Sequence, residues 1–357
     1  MNKGGIYYPN GEVSKADQKI MLDLGLSNIT FLHDQRYIAK SWRERYSDGI
    51  INCRFYLPNW RAQGPKAWAQ ECARIYLLQE NGVSLKSLGV HVTPANEMNL
   101  AGEGGGWSKQ DYIDINYWLC LWYDEFVAHT GIASDKTHFP AWAYGHSDDQ
   151  DDYGYIGDEI CRPAIEKYGN YNSHPYFSAG LVREKWHGHR FQITHERYPD
   201  KPIFCDESGY ISEDYDITNP NAPNEIADHI LSLYDFEYVT GVCYFIFRDP
   251  TGRHKRNDWG RNKKIEQRIK GLVLPEVTME FQLGFKTFAG VLASRGINPG
   301  KPKEPETAIT GPDDYMIMRQ RTTTGKFLWD KEYNDMLFWS NAHKIFAFNG
   351  GRILETK

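Results

Sequence analysis

A chain of 357 residues can hold one large domain, or a barrel with a small appendage, and 41% hydrophobic with 25% charged residues is the make-up of a soluble globular protein. A net charge of −6 argues against a general nucleic-acid binder, and no apolar run approaches the roughly 20 residues that span a bilayer. No nucleic-acid or membrane partner is therefore expected. The opening residues, MNKGGIYYPNG, contain no apolar stretch of a secretory leader, which leaves a cytoplasmic chain or a secreted one already relieved of its leader. The six cysteines (Cys53, Cys72, Cys120, Cys161, Cys205 and Cys243) stand singly with no Cys-x-x-Cys pair. That pattern reads as buried, reduced thiols rather than zinc ligands, so neither metal nor cofactor is expected.

In chain order, GIYYP (5–9) predicts a first strand, followed by a helix over 14–24 with Ser14 as its N-cap. NITFL (28–32) is the second strand, ending in His33 and Asp34, and a charged helix over 37–46 follows. IINCRFYL (50–57) is the third, with Pro58, Asn59 and Trp60 in the turn after it. The helix over 66–79 carries Trp68, Cys72, Ile75 and Tyr76 at helical spacing, which reads as core. Val90 and Val92 form the fourth strand. It ends at Pro94, which cannot donate to a sheet, and then presents Asn96 and Glu97 side by side. A carboxylate just past a buried strand is costly to desolvate and adds little packing, so its position points to chemistry; a solvated loop acid is the plain alternative.

The glycine-rich GEGGGW (102–107) lacks the placement of a phosphate loop and reads as a mobile flap bearing Trp107. A long aromatic helix spans 111–129, and HFPAWAY (138–144) is the fifth strand. The acids after it, Asp148, Asp149, Asp151 and Asp152, lack the full spacing of a calcium loop and read as solvated. A helix over 156–168 leads to YNSHPYF (171–177), the sixth strand. The following helix, 184–197, holds His187, His189 and His195, which read as surface histidines. In KPIFCDESGY (201–210) a seventh strand delivers a second acid, Glu207, at its C-terminal end. A helix over 224–239, an eighth strand GVCYFIF (241–247), a basic rim loop over 253–264 and a helix over 281–294 complete the alternation.

Eight strands each followed by a helix is the pattern of a closed (β/α)8 barrel, a TIM barrel in the α/β class; an open doubly wound sheet is the alternative, but its dinucleotide fingerprint is absent. The predicted barrel covers 1–300. The polar, Pro-rich stretch 301–314 reads as a linker, and 315–357 alternates like a small β-rich segment.

In such a barrel, functional groups project from the C-terminal ends of strands. Asn96-Glu97 ends strand four, Glu207 ends strand seven, and His174-Pro175-Tyr176 ends strand six. This ordered set resembles the clan A retaining glycoside hydrolases, which include many cellulases, mannanases and β-glycosidases. The resemblance spans about residues 5–294. It implies double displacement on a β-glycosidic bond of an oligo- or polysaccharide, with Glu97 as acid/base and Glu207 as nucleophile. It further implies that Asn96 binds the sugar 2-hydroxyl, that Tyr176 orients Glu207, and that His174 lines the site. The implied carboxyls lie about 5 Å apart.

Family-five members place an arginine near the end of strand two, where this chain has Phe31 and Leu32; Arg54 or Arg36 is the candidate substitute. Many clan members end strand eight with a tryptophan, and here Phe245 and Phe247 stand in that region. Aromatics make up 14% of the chain, a surplus that fits rings stacked against sugars. Trp60, Trp107, Trp142, Tyr144, Tyr210 and Trp259 are the candidates near the top face. A carbohydrate is thus the expected partner. A non-catalytic sugar-binding barrel and a cell-wall (peptidoglycan) lytic enzyme anchored by its C-terminal segment are the alternatives.

Overall fold

Short apolar runs become strands here because each is buried on both faces, by the barrel interior and by the helix that follows. The computed structural model describes residues 3–8, 11, 13–143, 150–210, 218–254 and 257–272, and the strand residues of 307–356; for 150–156 and past 306 only the backbone is described. Tyr144, the acids at 148–152 and the helix predicted over 281–294 thus have no described side chains or lie outside the described residues. The chain divides into two compact units, Met1–Pro275 and Glu276–Lys357.

In the first unit, β1 (Gly4–Tyr7), α1 (Lys15–Leu22), β2 (Asn28–Leu32), α2 (Ile38–Arg45), β3 (Ile51–Arg54), α3 (Pro65–Leu77), β4 (His91–Thr93) and α4 (Lys109–Thr130) alternate without a break. They are followed by β5 (His138–Phe139), α5 (Gln150–Lys167), β6 (Asn170–Asn172), a two-residue β7 (Tyr176–Phe177), α6 (Phe191–Arg197), β8 (Ile203–Tyr210), α7 (Ala222–Ser232), β9 (Val239–Tyr244) and α8 (Lys263–Lys270). The strands pair in parallel in the order β4-β3-β2-β1-β9-β8-β6-β5, and a parallel bridge between Val92 and Thr137 joins the two ends. The result is a (β/α)8 barrel, with β7 as a short extra rung on β8. Among the described residues no helix is long and apolar enough to cross a membrane, and all six cysteines are free.

Local chemistry explains the helices. Ser14 caps α1 by accepting from the Asp17 amide. Helix α4 opens on a reciprocal capping box between Ser108 and Asp111 and closes on Gly131 in the left-handed conformation. Its buried Tyr112, Ile115, Leu119, Trp122 and Phe126 recur every three or four residues, which turns one face to the strands.

Two elements differ from their sequence pattern. The basic stretch after β9 is not all rim: Asn262 caps α8, and Ile265 and Ile269, four apart, bury one face of it. The helix expected from 184 begins only at Phe191, and His189 is buried, bonded to Ser232 Oγ at 2.7 Å rather than exposed.

Inside the barrel, a polar ladder crosses four strands. Thr93 Oγ1 donates to Asn52 Oδ1 at 3.0 Å and accepts from Asn172 Nδ2 at 3.0 Å, while Asn172 Oδ1 lies 2.7 Å from His138 Nδ1. Burial holds His138 down to about 4, so its ring is neutral with the proton on Nδ1. Side chains alternate along a strand, so residues two beyond this ladder also face inward. Arg54 follows Asn52, His174 follows Asn172, and Asp206 follows the interior ring of Phe204.

The second unit is an antiparallel meander, β10 (Thr307–Thr310), β11 (Met316–Arg321), β12 (Gly325–Asp330), β13 (Asp335–Ser340), β14 (Ile345–Asn349) and β15 (Arg352–Thr356), each strand paired with the next. We propose that the barrel folds without it. A chain ending at Ser294 is expected to be soluble and to unfold in one cooperative urea transition; an insoluble product would show that the tail strands are needed to complete the barrel's core.

Candidate active site

The inward alternation delivers Arg54 to the centre of the barrel mouth, where its guanidinium is almost fully buried. A buried cation needs paired charge, and two successive residues of β8 supply it. Asp206 accepts from Nη2 and Glu207 from Nη1, both at very short range. Regular alternation would turn Glu207 outward. Between Cys205, opposite Val242, and Ser208, opposite Tyr244, β8 has two residues where β9 has one. This bulge aims Asp206 and Glu207 into the same space.

Three further strand ends converge there. His174, past β6, places Nδ1 2.8 Å from Glu97 Oε1 and 3.8 Å from Glu207 Oε2. Its Nε2 lies 3.2 Å from Asp206 Oδ1 and 3.3 Å from Arg54 Nη2. Tyr176, on β7, donates to Glu207 Oε2 at 2.8 Å. Because Glu97 and Glu207 reach the same ring nitrogen, their nearest oxygens are within about 7 Å of each other, a span that includes the about 5–5.5 Å of a retaining pair.

Asn96 is oriented by chemistry that leaves one choice. Arg54 Nη1, which can only donate, lies 2.7 Å from Oδ1, and Glu103 Oε1 accepts from Nδ2 at 3.2 Å. One N–H of the amide is not used by Glu103. The loop carrying these groups is pinned rather than a free flap. Trp60 Nε1 donates to Met98 O at 2.9 Å, the Gly105 amide donates to Leu100 O at 3.0 Å, and Arg61 Nε donates to Gly104 O at 2.9 Å. The glycines serve close approach: a Cβ on Gly105 would sit 1.8 Å from Met98 O, and Gly104 has φ +88°.

Several aromatic candidates are not available for stacking. Trp60 and Tyr210 are 3% exposed, and Trp142 and Trp259 only 1%. Each indole folds inward because its N–H finds a buried acceptor: Met98 O for Trp60, Asp158 Oδ1 for Trp142 at 2.7 Å, and Tyr244 O for Trp259 at 3.2 Å. The Tyr210 hydroxyl is likewise taken by Glu225. Trp107 keeps 37% of its surface exposed. Arg36 pairs with Glu80 instead of joining the cluster.

Three members of the cluster have no strand-end signature in the sequence reading. Asp206 could have been found by alternation from Phe204. Tyr7 ends β1 with its hydroxyl 3.5 Å from Arg54 Nη1 and its ring against Phe245. Glu103, buried in the glycine-rich loop, had no signal; burial pushes its carboxyl up, against the Asn96 hydrogen bond. Among the described residues no group of His, Cys, Asp and Glu is arranged to hold a metal ion.

No protein-family model matches the sequence and no curated protein is significantly similar to it. Among solved structures, the chain is similar to a GH128 (subgroup II) endo-β-1,3-glucanase from Sorangium cellulosum, with a TM-score of 0.51 at 15% identity over 76% of this chain and 99% of that one. A GH128 (subgroup I) endo-β-1,3-glucanase from Amycolatopsis mediterranei, solved with laminaritriose, covers the same shares, 76% and 99%, at 16% identity and a TM-score of 0.49. The first of these likenesses shows the fold, a (β/α)8 barrel.

The buried charges set how stability depends on pH. Burial pushes the Asp206 carboxyl up, but Arg54 and His174 outweigh it and hold it down to about 2. The stability Asp206 contributes is thus full above the ordinary carboxylate value of about 3.9 and is lost as pH falls toward 2. Burial lowers His174, but Glu207 and Asp206 outweigh it and hold the ring up to about 10. Its contribution is full below the ordinary value of about 6.5 and is lost as pH rises toward 10. Urea midpoints across this range are expected to peak between about pH 4 and 6.5. A flat profile from 6.5 to 10 would mean that His174 is not held protonated. Arg54→Ala, which strands two buried carboxylates, is expected to lower stability by about 3–5 kcal/mol in the same measurement near neutral pH.

Proposed function

We propose that the chain is a retaining glycoside hydrolase that cleaves β-glycosidic bonds of an oligo- or polysaccharide by double displacement. The observation that carries this reading is the meeting of Glu97 and Glu207, from the ends of β4 and β8, at one nitrogen of His174. Their partners differ in kind and support a division of roles. Glu207 is held by donors, Arg54 and Tyr176, which suits a carboxylate that attacks. Glu97 faces His174, a group that can give or take a proton.

In this reading Glu207 attacks the anomeric carbon while Glu97 gives its proton to the leaving oxygen. Glu97, now a carboxylate, takes a proton from water, whose oxygen attacks the same carbon and releases Glu207. Tyr176 and Arg54 keep the Glu207 oxygens in place as charge leaves and returns. The N–H of Asn96 not used by Glu103 is placed to meet a sugar 2-hydroxyl, and the exposed ring of Trp107 is the aromatic surface offered to a glycan.

Azide chemistry separates the roles. Glu207→Ala is expected to abolish hydrolysis, and azide to restore turnover as a glycosyl azide of inverted configuration. Glu97→Ala is expected to lose about 10²- to 10⁴-fold on poor leaving groups, to spare activated aryl glycosides at the first step, and to give a retained azide product. The reverse pattern would exchange the two roles. A wild-type chain inert toward aryl glycosides and toward β-1,3-glucan, β-1,4-glucan and β-mannan would sink the reading.

A further inference from the structure

We propose that Asp206 is a positioning residue of this site: its buried carboxylate keeps one proton on the His174–Glu97 pair and holds Arg54 against Glu207. The inference rests on the hydrolase reading for its kinetic consequence, but not for its titration. Asp206 is fully buried, so its oxygens face the protein. Oδ2 takes Arg54 Nη2, and Oδ1 lies 3.2 Å from His174 Nε2.

Those two nitrogens are only 3.3 Å apart. Arg54 is always a cation, so a second cation beside it is tolerated only if negative charge lies against both. Asp206 touches both of these nitrogens, and Glu207 pairs with the other nitrogen of each side chain. The groups facing the imidazole are Arg54 from β3, Glu97 from the loop after β4, Tyr176 from β7, and Asp206 and Glu207 from β8. Around Asp206 itself lie Arg54, His174, the neutral His138 of β5, the Tyr7 hydroxyl of β1 and the thiols of Cys205 and Cys243. Arg54 repels a proton on the ring, and the three carboxylates attract one.

The proton has two places in the pair. On Nδ1 it makes an imidazolium that donates to an ionised Glu97; on Glu97 it makes a carboxylic acid against a neutral imidazole. Transfer to a leaving oxygen empties the pair, and deprotonation of the attacking water by Glu97 refills it, so the proton count closes over the cycle. Without the Asp206 charge, only Glu207 and Glu97 oppose Arg54 and burial, and the pair is emptied at lower pH. The sequence places this carboxylate by ordinary alternation, two residues past Phe204, one residue before the bulge turns Glu207 to join it.

The test is the titration of His174, followed by NMR of the imidazole in the whole chain, in the wild type and in Asp206→Asn, which keeps the shape and removes the charge. In the wild type, His174 is expected to stay protonated well above pH 7. In the variant its midpoint is expected to fall by at least about one pH unit, a tenfold smaller protonated fraction at a given pH on the basic side. The basic limb of the pH profile of kcat is expected to move down by a similar amount, with KM changed less. A wild-type His174 that titrates near about 6.5 overturns the proposal whether or not the variant folds. So does a folded variant whose titration is unmoved, since a merely structural aspartate would alter stability and leave the ring's proton alone. The titration needs no substrate, so a failure to find the glycan does not touch it.

Discussion

The contact on which the mouth of this barrel depends is the grip of two neighbouring carboxylates on one guanidinium. A buried arginine without partners would be untenable, and a buried carboxylate pair without a cation equally so. Asp206 and Glu207 share Arg54 through separate nitrogens, and the same Nη1 that holds Glu207 also fixes the Asn96 amide. Much of the rest follows. Asn96 must turn its nitrogen to Glu103, His174 must lie where Asp206 can face it, and Tyr176 donates to the Glu207 oxygen that Arg54 leaves open.

That grip is built by two simple rules of strands and one break in them. Alternation puts the polar ladder of Asn52, Thr93, Asn172 and His138 in one layer and Arg54, His174 and Asp206 in the layer two residues on. The lower layer is linked side chain to side chain and neutral, so it makes a floor that does not compete for the charges above it. The break is the bulge in β8, which adds Glu207 to a face that alternation had already given to Asp206.

This explains what could be read in the sequence. The strand-helix count and the acids at the strand ends are local signals: a short apolar run, a helix-period pattern, and a polar residue where the strand stops. Ser14 as a cap is of the same kind. What was not legible depends on distant partners. Tryptophans in loops read as exposed until their N–H groups find Met98 O, Asp158 or Tyr244 O. The glycines at 104 and 105 read as slack until the carbonyl of Met98 is seen beside them. His189 reads as surface until Ser232 is brought next to it. The helix at 263 was hidden because lysines and arginines crowd its exposed face, although Ile265 and Ile269 carry the spacing.

Charge balance adds a last step. The cluster sets two cationic side chains, Arg54 and His174, against four carboxyls, Glu97, Glu103, Asp206 and Glu207. If all four were ionised the mouth would be doubly negative in a largely buried setting, so protons are favoured somewhere within it. Arg54 and His174 hold Asp206 ionised, so it is not the place for one. Glu103 accepts from Asn96 with one oxygen and has its other buried, and Glu97 faces a ring that can trade a proton with it. The excess of acids over cations thus leaves room for protons on the β4 side of the mouth, where burial pushes the Glu103 carboxyl up, while Asp206 on β8 keeps its charge.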